Sequence, residues 1–166
     1  MIIKISNLSE GVHNYVFEEP IKDLGLEEYF FGNVSVEVEL NKSNNQIVLN
    51  VALELSARFE CDRCTVNYTT PITTEYQMVY LFGKEPVESE SINITYMPHD
   101  ADKLILDEDI KDFALLSIPM KKLCKEDCKG LCYKCGKNLN EGNCNCEKSN
   151  IDARWLPLID LKNKIN

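Results

Sequence analysis

The sequence predicts an α+β fold dominated by antiparallel β-sheet, and three observations carry that reading. Apolar residues alternate with polar ones through residues 34–40, 47–59 and 66–82, the period of strands with one buried and one wet face. One later segment, 107–118, has helical spacing instead. Beyond it, six of the eight cysteines crowd into residues 124–146, a stretch too polar to extend a hydrophobic core. The long strands leave a barrel-like closure open as one arrangement of the sheet.

Each element has its own signal. In "VSVEVEL", Val34, Val36, Val38 and Leu40 share one face and Ser35, Glu37 and Glu39 the other. In "IVLNVALELSARFE", Ile47, Leu49, Val51, Leu53, Leu55, Ala57 and Phe59 repeat the pattern. "NKSNNQ" between them has turn composition, so the two strands form a hairpin. In the next strand Val66, Tyr68, Ile72, Tyr76, Met78, Tyr80 and Phe82 share a parity, and Pro71 marks an edge position or a bulge. Cys61-Asp62-Arg63-Cys64 then falls at a hairpin tip.

Shorter strands are expected in "IIKISNL" and "HNYVFEE", while "PIKDLGLEEYF" fits either a helical turn or a loop. Residues 84–103, acidic and holding Pro86 and Pro98, read as a surface excursion around a strand-like "INITYM". "LDEDIKDFALLSIPM" reads as a helix over 107–118, with Asp107 as its cap, acidic residues in its first turn and Pro119 as its stop. After the cysteines, Trp155, Leu158 and Leu161 have the spacing of a short amphipathic helix. The expected organisation is a β-rich domain over 1–118 and a cysteine-rich tail over 119–166 packed on it.

Composition narrows the function. Of 166 residues, 44% are hydrophobic and 27% charged, the balance of a soluble globular chain. No apolar run reaches the ~20 residues of a membrane span, and "MIIKISNLSEGVHNY" lacks the apolar core of a secretory signal. The expected location is the cytoplasm, where thiols stay reduced and disulfides are rare. A net charge of −9 repels nucleic acid and favours basic partners. The charge is uneven, however: residues 85–112 are strongly acidic, whereas Lys121, Lys122, Lys125, Lys129, Lys134 and Lys137 make the start of the tail basic.

The cysteines run Cys61-x2-Cys64, then Cys124-x3-Cys128-x3-Cys132-x2-Cys135-x8-Cys144-x-Cys146. Zinc takes four thiolates as a tetrahedron, and structural sites gather ligand pairs from short loops. Eight cysteines make two complete sets. Cys132, Cys135, Cys144 and Cys146 are the favoured local set, which leaves Cys61 and Cys64 with Cys124 and Cys128. The alternative joins 61/64 to 132/135 and leaves 124, 128, 144 and 146. One or two structural Zn2+ ions are therefore expected. A redox dithiol usually sits at a helix N-terminus, not at a hairpin tip. An iron–sulfur cluster is a further, less favoured use of such thiolates. A four-thiolate site has no open position for catalysis.

Other residues weigh little. His13 and His99 match no catalytic spacing, and Asp107, Glu108, Asp109 and Asp112 are explained by the helix dipole. No Gly-rich phosphate loop, nucleophile elbow or H-E-x-x-H motif occurs, so no enzyme is expected.

The cysteine segments also carry a resemblance. "CDRC", then "IPMKKLCKEDCKGLCYKCGKNLNEGNCNC", then "IDARWLPLIDL", resembles the YceD family over about residues 35–163. Tyr133 stands where the family often has Pro, Ala153 where Asp-Pro-Arg is usual, and Thr65 where an apolar residue is common. The resemblance implies a non-catalytic role in the accumulation of large-subunit ribosomal RNA, hence in ribosome assembly. Family members differ in how many cysteines they keep. Two contacts are compatible with that role. In one, the lysines named above, with Tyr133, touch ribosomal RNA or a pre-ribosomal particle, although lysines around a metal site are equally explained as a solvated face. In the other, the acidic surface holds a basic ribosomal protein. The alternative from another class is a redox-sensing zinc–thiolate regulator, whose tail is freed when oxidation ejects the metal.

Overall fold

Strand β1 (Ile2–Lys4) pairs antiparallel with a late strand, β7 (Lys103–Ile105), in a two-stranded ribbon. Between them lies a five-stranded sheet of β2 (Gly11–Pro20), β3 (Phe30–Lys42), β4 (Gln46–Glu60), β5 (Asn67–Phe82) and β6 (Ile94–Met97), in that spatial order. The first four run as an antiparallel meander, and β6 adds parallel to the end of β5. Helix α1 (Ile21–Leu24) joins β2 to β3, and α2 (Asp107–Leu116) follows β7. This architecture comes from a computed structural model that describes residues 1–83 and 93–146. No helix among them is long and apolar enough to cross a membrane.

The period-two pattern sets the register. Val36 faces Leu53, Val38 faces Val51 and Leu40 faces Leu49, so one face of the hairpin is continuously apolar. Every odd residue of β4 from Ile47 to Phe59 is buried. The same core takes in Ile3 of β1, Leu104 of β7, Ile21 of α1 and Ile110 and Ala114 of α2. The short elements thus cover the inner face, while Glu37, Glu39, Glu54 and Glu75 stand exposed on the other. Truncating a central leucine such as Leu53 to Ala would cost about 2–5 kcal/mol.

Three expectations need correction. The sheet does not close into a barrel. Closure requires the two outermost strands to pair, and here β2 and β6 lie at opposite ends of an open sheet. The inner face is sealed by the ribbon and helices instead. Asp107 is not a cap: the cap position is Leu106, with no side-chain capping bond. The Asp107 carboxylate is taken by the Met1 amino group. The helix also ends at Leu116, two residues early, where the Ser117 hydroxyl donates to the Ala114 carbonyl at 2.6 Å.

Pro71 is resolved as an edge residue. It pairs with Ser56 on one side without a register shift, and among the described residues the other side of β5 is joined only at Val79–Phe82, by β6. The acidic excursion contributes β6 and β7, the latter too short to announce itself in the sequence. Residues 84–92 and the amphipathic segment around Trp155, Leu158 and Leu161 lie outside the described residues.

Candidate metal centres

Strands β4 and β5 are longer than the sheet they share with β3, and their tip carries Cys61 and Cys64 outward. There the chain reaches Cys124 and Cys128. The four Sγ atoms lie within 4.8 Å of one another. Cys61 Sγ is 3.8 Å from Cys128 Sγ, and Cys64 Sγ is 3.6 Å from Cys124 Sγ. These separations are far too long for the ~2.05 Å bond of a disulfide. They match the edge of about 3.8 Å that a tetrahedron with ~2.3 Å zinc–sulfur bonds requires. Cys61, Cys64 and Cys128 are buried and pack with Tyr68 and Leu123.

The second quartet is Cys132, Cys135, Cys144 and Cys146, again with all four Sγ atoms within 4.8 Å. It is more open: Cys132 is buried, Cys135 exposed, and the last two half-buried. The favoured grouping from the sequence is the one the fold brings together, and the alternative that joins the two Cys-x-x-Cys turns is not.

The two Cys-x-x-Cys turns are copies of one conformation. In the first, the Thr65 amide donates to the Cys61 carbonyl (2.9 Å) and the Cys61 amide to the Val66 carbonyl (3.0 Å). In the second, Gly136 donates to Cys132 (2.8 Å) and Cys132 to Lys137 (2.8 Å). The residue after the second cysteine must turn left-handed in both, at φ 55° for Thr65 and 70° for Gly136. Glycine is the usual occupant of this conformation, as at Gly136, whereas the β-branch of Thr65 disguises the same turn.

Amides aimed at sulfur favour thiolate. Burial alone would raise the Cys61 thiol, but the backbone N–H groups of Cys124, Arg63 and Cys64 hold it at about 6. The N–H groups of Cys135 and Lys134 do the same for Cys132, also at about 6. Conversely, burial and the neighbouring Cys64 and Cys128 push Cys124 up to about 12. The hydrogen bond with Cys135, then burial, takes Cys146 to about 12. The first quartet thus sets two thiols drawn toward thiolate, Cys61 and Cys128, against two that resist ionising, Cys64 and Cys124, and the second sets Cys132 against Cys146. A bound dication would offset the thiolate charge, so the donor set fits zinc chemically and geometrically.

Residues that sequence reasoning missed hold the ligands in place. Arg63 donates to the Cys128 carbonyl at 2.8 Å, and its own carbonyl accepts from Leu131 at 3.0 Å. Gly130 sits at φ 73°, where an added Cβ would come within 2.9 Å of that Arg63 carbonyl. Asp62 exchanges two bonds with the Lys122 backbone, at 2.7 and 2.8 Å. Asn140 donates to Cys128 Sγ at 3.3 Å. Only their closeness in sequence to cysteines could have drawn attention to them.

The lysines divide. Lys122 is half-buried, its ammonium 5.3 and 5.4 Å from the ring centres of Tyr29 and Phe59, so it serves the fold. Lys125 faces Asp127 at 3.7 Å, and Lys137 donates to the Asn143 carbonyl at 2.9 Å. Lys121, Lys129 and Lys134 have exposed side chains, as does Tyr133, which is 74% accessible. His13 bonds the Ser9 carbonyl and His99 stacks on Phe82, and neither joins the quartets.

An open, mostly antiparallel sheet with two cysteine quartets defines a small β-protein whose loops gather thiols that could hold metal ions. The chain belongs to the family described as large ribosomal RNA subunit accumulation protein YceD, whose model matches residues 49–162. It is 22% identical over 158 residues to the Arabidopsis thaliana large ribosomal RNA subunit accumulation protein YCED homolog 1, chloroplastic, covering 80% of this chain and 49% of that one. The protein of the same name from Zea mays is 24% identical, covering 72% and 50%. An uncharacterized protein of Mycobacterium leprae is 23% identical, covering 77% and 58%. The chain thus spans about half the length of the plant relatives it matches. No solved structure matches it significantly.

Proposed function

We propose that this chain is a non-catalytic assembly factor that promotes accumulation of large-subunit ribosomal RNA. The observation that supports it most directly is the family match, which runs through both cysteine quartets. In this reading residues 119–166 form a module organised around two structural zinc ions, one held by Cys61, Cys64, Cys124 and Cys128, the other by Cys132, Cys135, Cys144 and Cys146. Zinc supplies cross-linking there and no open coordination position. The first quartet clips the tail to the β4–β5 tip across some sixty residues of chain, a long loop whose closure an ion can sustain. The module then presents Lys121, Lys129, Lys134 and Tyr133 to ribosomal RNA or a pre-ribosomal particle, where stacking and phosphate contact supply affinity.

The test is removal of the protein from its cytoplasm and measurement of large- against small-subunit ribosomal RNA. A selective fall in the large-subunit species, restored by the wild-type chain and not by Cys61→Ser/Cys64→Ser, is expected; an unchanged ratio rejects the role. Elemental analysis of the purified protein should return about two zinc per chain. For direct RNA contact, Lys121→Glu/Lys129→Glu/Lys134→Glu should weaken binding and flatten its salt dependence by about two logarithmic units per decade of salt, given ~0.7 per single-strand contact.

A second reading, the redox-sensing regulator, is favoured by the exposure of Cys135 in the second quartet. It requires mild peroxide to release zinc, first from the more exposed second quartet and then from the first, whose ion would clip the tail. Retention of both ions rejects it.

A further inference from the structure

The outer face of the sheet is shaped and charged as a receptor, and no other described element packs on it. Its centre is Ala52, a small residue flanked by Glu37 on β3 and Glu75 on β5 in direct register. The short side chain between two longer ones leaves a trough of about 630 Å³. Val16, 72% exposed, forms its apolar side on β2. A smaller depression of about 190 Å³ continues past Ala52 to Glu54.

A polar row fixes one wall. Gln77 donates to Asn50 at 2.8 Å, and Asn50 donates to Glu39 at 3.1 Å, spanning three strands. Glu37, Glu39, Glu54 and Glu75 have no ion-pair partner among the described residues. On strands β2 to β5 the register puts one cation on this face, Arg58, and it lies over the Phe31 ring at 5.1 Å, away from the trough. Four carboxylates therefore share a concavity with no counter-charge among the described residues.

The geometry points to an extended, lysine- and arginine-rich polypeptide segment as the occupant of this trough. Nucleic acid is excluded by sign, since its phosphates would meet carboxylates. The spacing suits an extended peptide. Glu37 and Glu39 are two residues apart along a strand, about 6.7 Å, the repeat of same-side side chains in an extended chain. Glu37 and Glu75 are two strands apart, about 9.5 Å, within reach of lysine or arginine side chains from either flank. Val16 offers contact to the stem of a basic side chain. The inference deepens the assembly reading, on which it rests only for the origin of the peptide: particles under assembly contain proteins with basic segments that must be kept off the wrong RNA. The protein then has two surfaces of opposite sign, a carboxylate trough for a basic polypeptide and a lysine-bearing module for RNA.

The probe is a twelve-residue synthetic peptide of alternating lysine and serine, titrated into the full chain by calorimetry and by amide NMR at low and at physiological salt. Amides around Ala52, Glu37 and Glu75 should shift, and Glu37→Gln/Glu54→Gln/Glu75→Gln should weaken binding at least tenfold. These side chains are exposed, so the fold should be kept, which the NMR spectrum verifies. A control with the same charge loss elsewhere, Asp102→Asn/Glu108→Gln/Asp112→Asn, should weaken binding less than threefold. Equal weakening by both triples would mean attraction to net charge alone and overturn the proposal. Absence of binding, or the same amides shifting with a single-stranded RNA oligomer, would also overturn it. Co-sedimentation with large-subunit precursors is scored separately. Its loss in wild type counts against the assembly reading and leaves the peptide result standing.

Discussion

Asn140 donates its side-chain N–H to the sulfur of Cys128 at 3.3 Å, so a loop of the second quartet reaches a ligand of the first. Its own Oδ1 accepts from the Lys129 amide at 2.9 Å, which aims it. The Leu139 amide, beside it, donates to the Gly130 carbonyl at 2.9 Å. The loop spanning residues 136–143 joins Cys135 to Cys144, so an ion that ordered this loop in the second quartet would also place a donor on a sulfur of the first. Partners of this kind typically tune metal affinity by 10–100-fold. Asn140→Ala should therefore weaken the first zinc site by about tenfold. Competition with a coloured chelator reads this directly: one of two release steps should move, and it should be the step lost in Cys61→Ser. If neither step moves, the loop does not support the first site.

The shared turn of the two Cys-x-x-Cys segments makes a second prediction. Thr65 adopts φ 55°, a left-handed conformation that costs a β-branched residue about 1–2 kcal/mol. Glycine there would lose some of this advantage to its greater unfolded-state freedom. Thr65→Gly should stabilise the zinc-loaded protein by up to about 1 kcal/mol, seen as a higher denaturation midpoint with an unchanged slope. Gly136→Thr should cost about 1–2 kcal/mol. A destabilising Thr65→Gly would mean that the threonine side chain makes a contact worth more than the strain.

How much of this was legible in the sequence follows from the range of the forces involved. The long strands were legible because a period of two over seven or more residues, as from Ile47 to Phe59, leaves no other way to bury every apolar side chain. The grouping of the quartets was only favoured by the sequence, because Cys132 and Cys146 are close along the chain, and the rival grouping stayed open until the fold brought Cys61 and Cys64 to Cys124 and Cys128. Strand β7 was not, since three residues carry no period. The openness of the sheet was not, because it depends on β6 joining β5 in parallel over four residues. Arg63, Asn140 and Asp62 were hidden for another reason. They act through backbone groups and sulfur atoms that only tertiary packing brings near. Lys122 shows the opposite error: it counted with the basic patch until the rings of Tyr29 and Phe59 claimed it.

Beneath α2 a hydroxyl has been buried without a partner. The ring of Tyr76 lies parallel to Phe113, centroids 3.9 Å apart, and its Oη has no hydrogen bond among the described residues. An unsatisfied buried polar group costs about 1–3 kcal/mol. Tyr76→Phe keeps the stack and deletes the hydroxyl, so it should raise stability by about 1 kcal/mol, or the thermal midpoint by about 2–4 °C for a chain of this size. A fall in the midpoint would show that a water or a residue outside the described set satisfies the hydroxyl.

The neighbouring Tyr80 does have a partner: its hydroxyl donates to Asp109 Oδ2 at 2.7 Å. Burial raises the Asp109 carboxyl above its ordinary value, Tyr80 pulls it partly back, and the nearby Asp112 and Glu108 charges add to the rise. A carboxyl with a raised folded pKa binds its proton more tightly in the native state. Its contribution is most favourable below the ordinary carboxylate range, declines as pH rises through the folded value, and stays unfavourable above it. Asp109→Asn keeps an oxygen to accept from Tyr80 and removes the charge. The variant should therefore be more stable than wild type at pH 7, and the advantage should shrink towards zero as pH falls below about 4. Taking the difference between the two proteins at each pH cancels the loss of zinc that acid brings to both. A carboxyl-carbon NMR titration of wild type should place the Asp109 midpoint above the ordinary aspartate range. If Asp109→Asn is instead less stable than wild type at pH 7, the helix N-terminus stabilises the Asp109 charge by more than burial destabilises it.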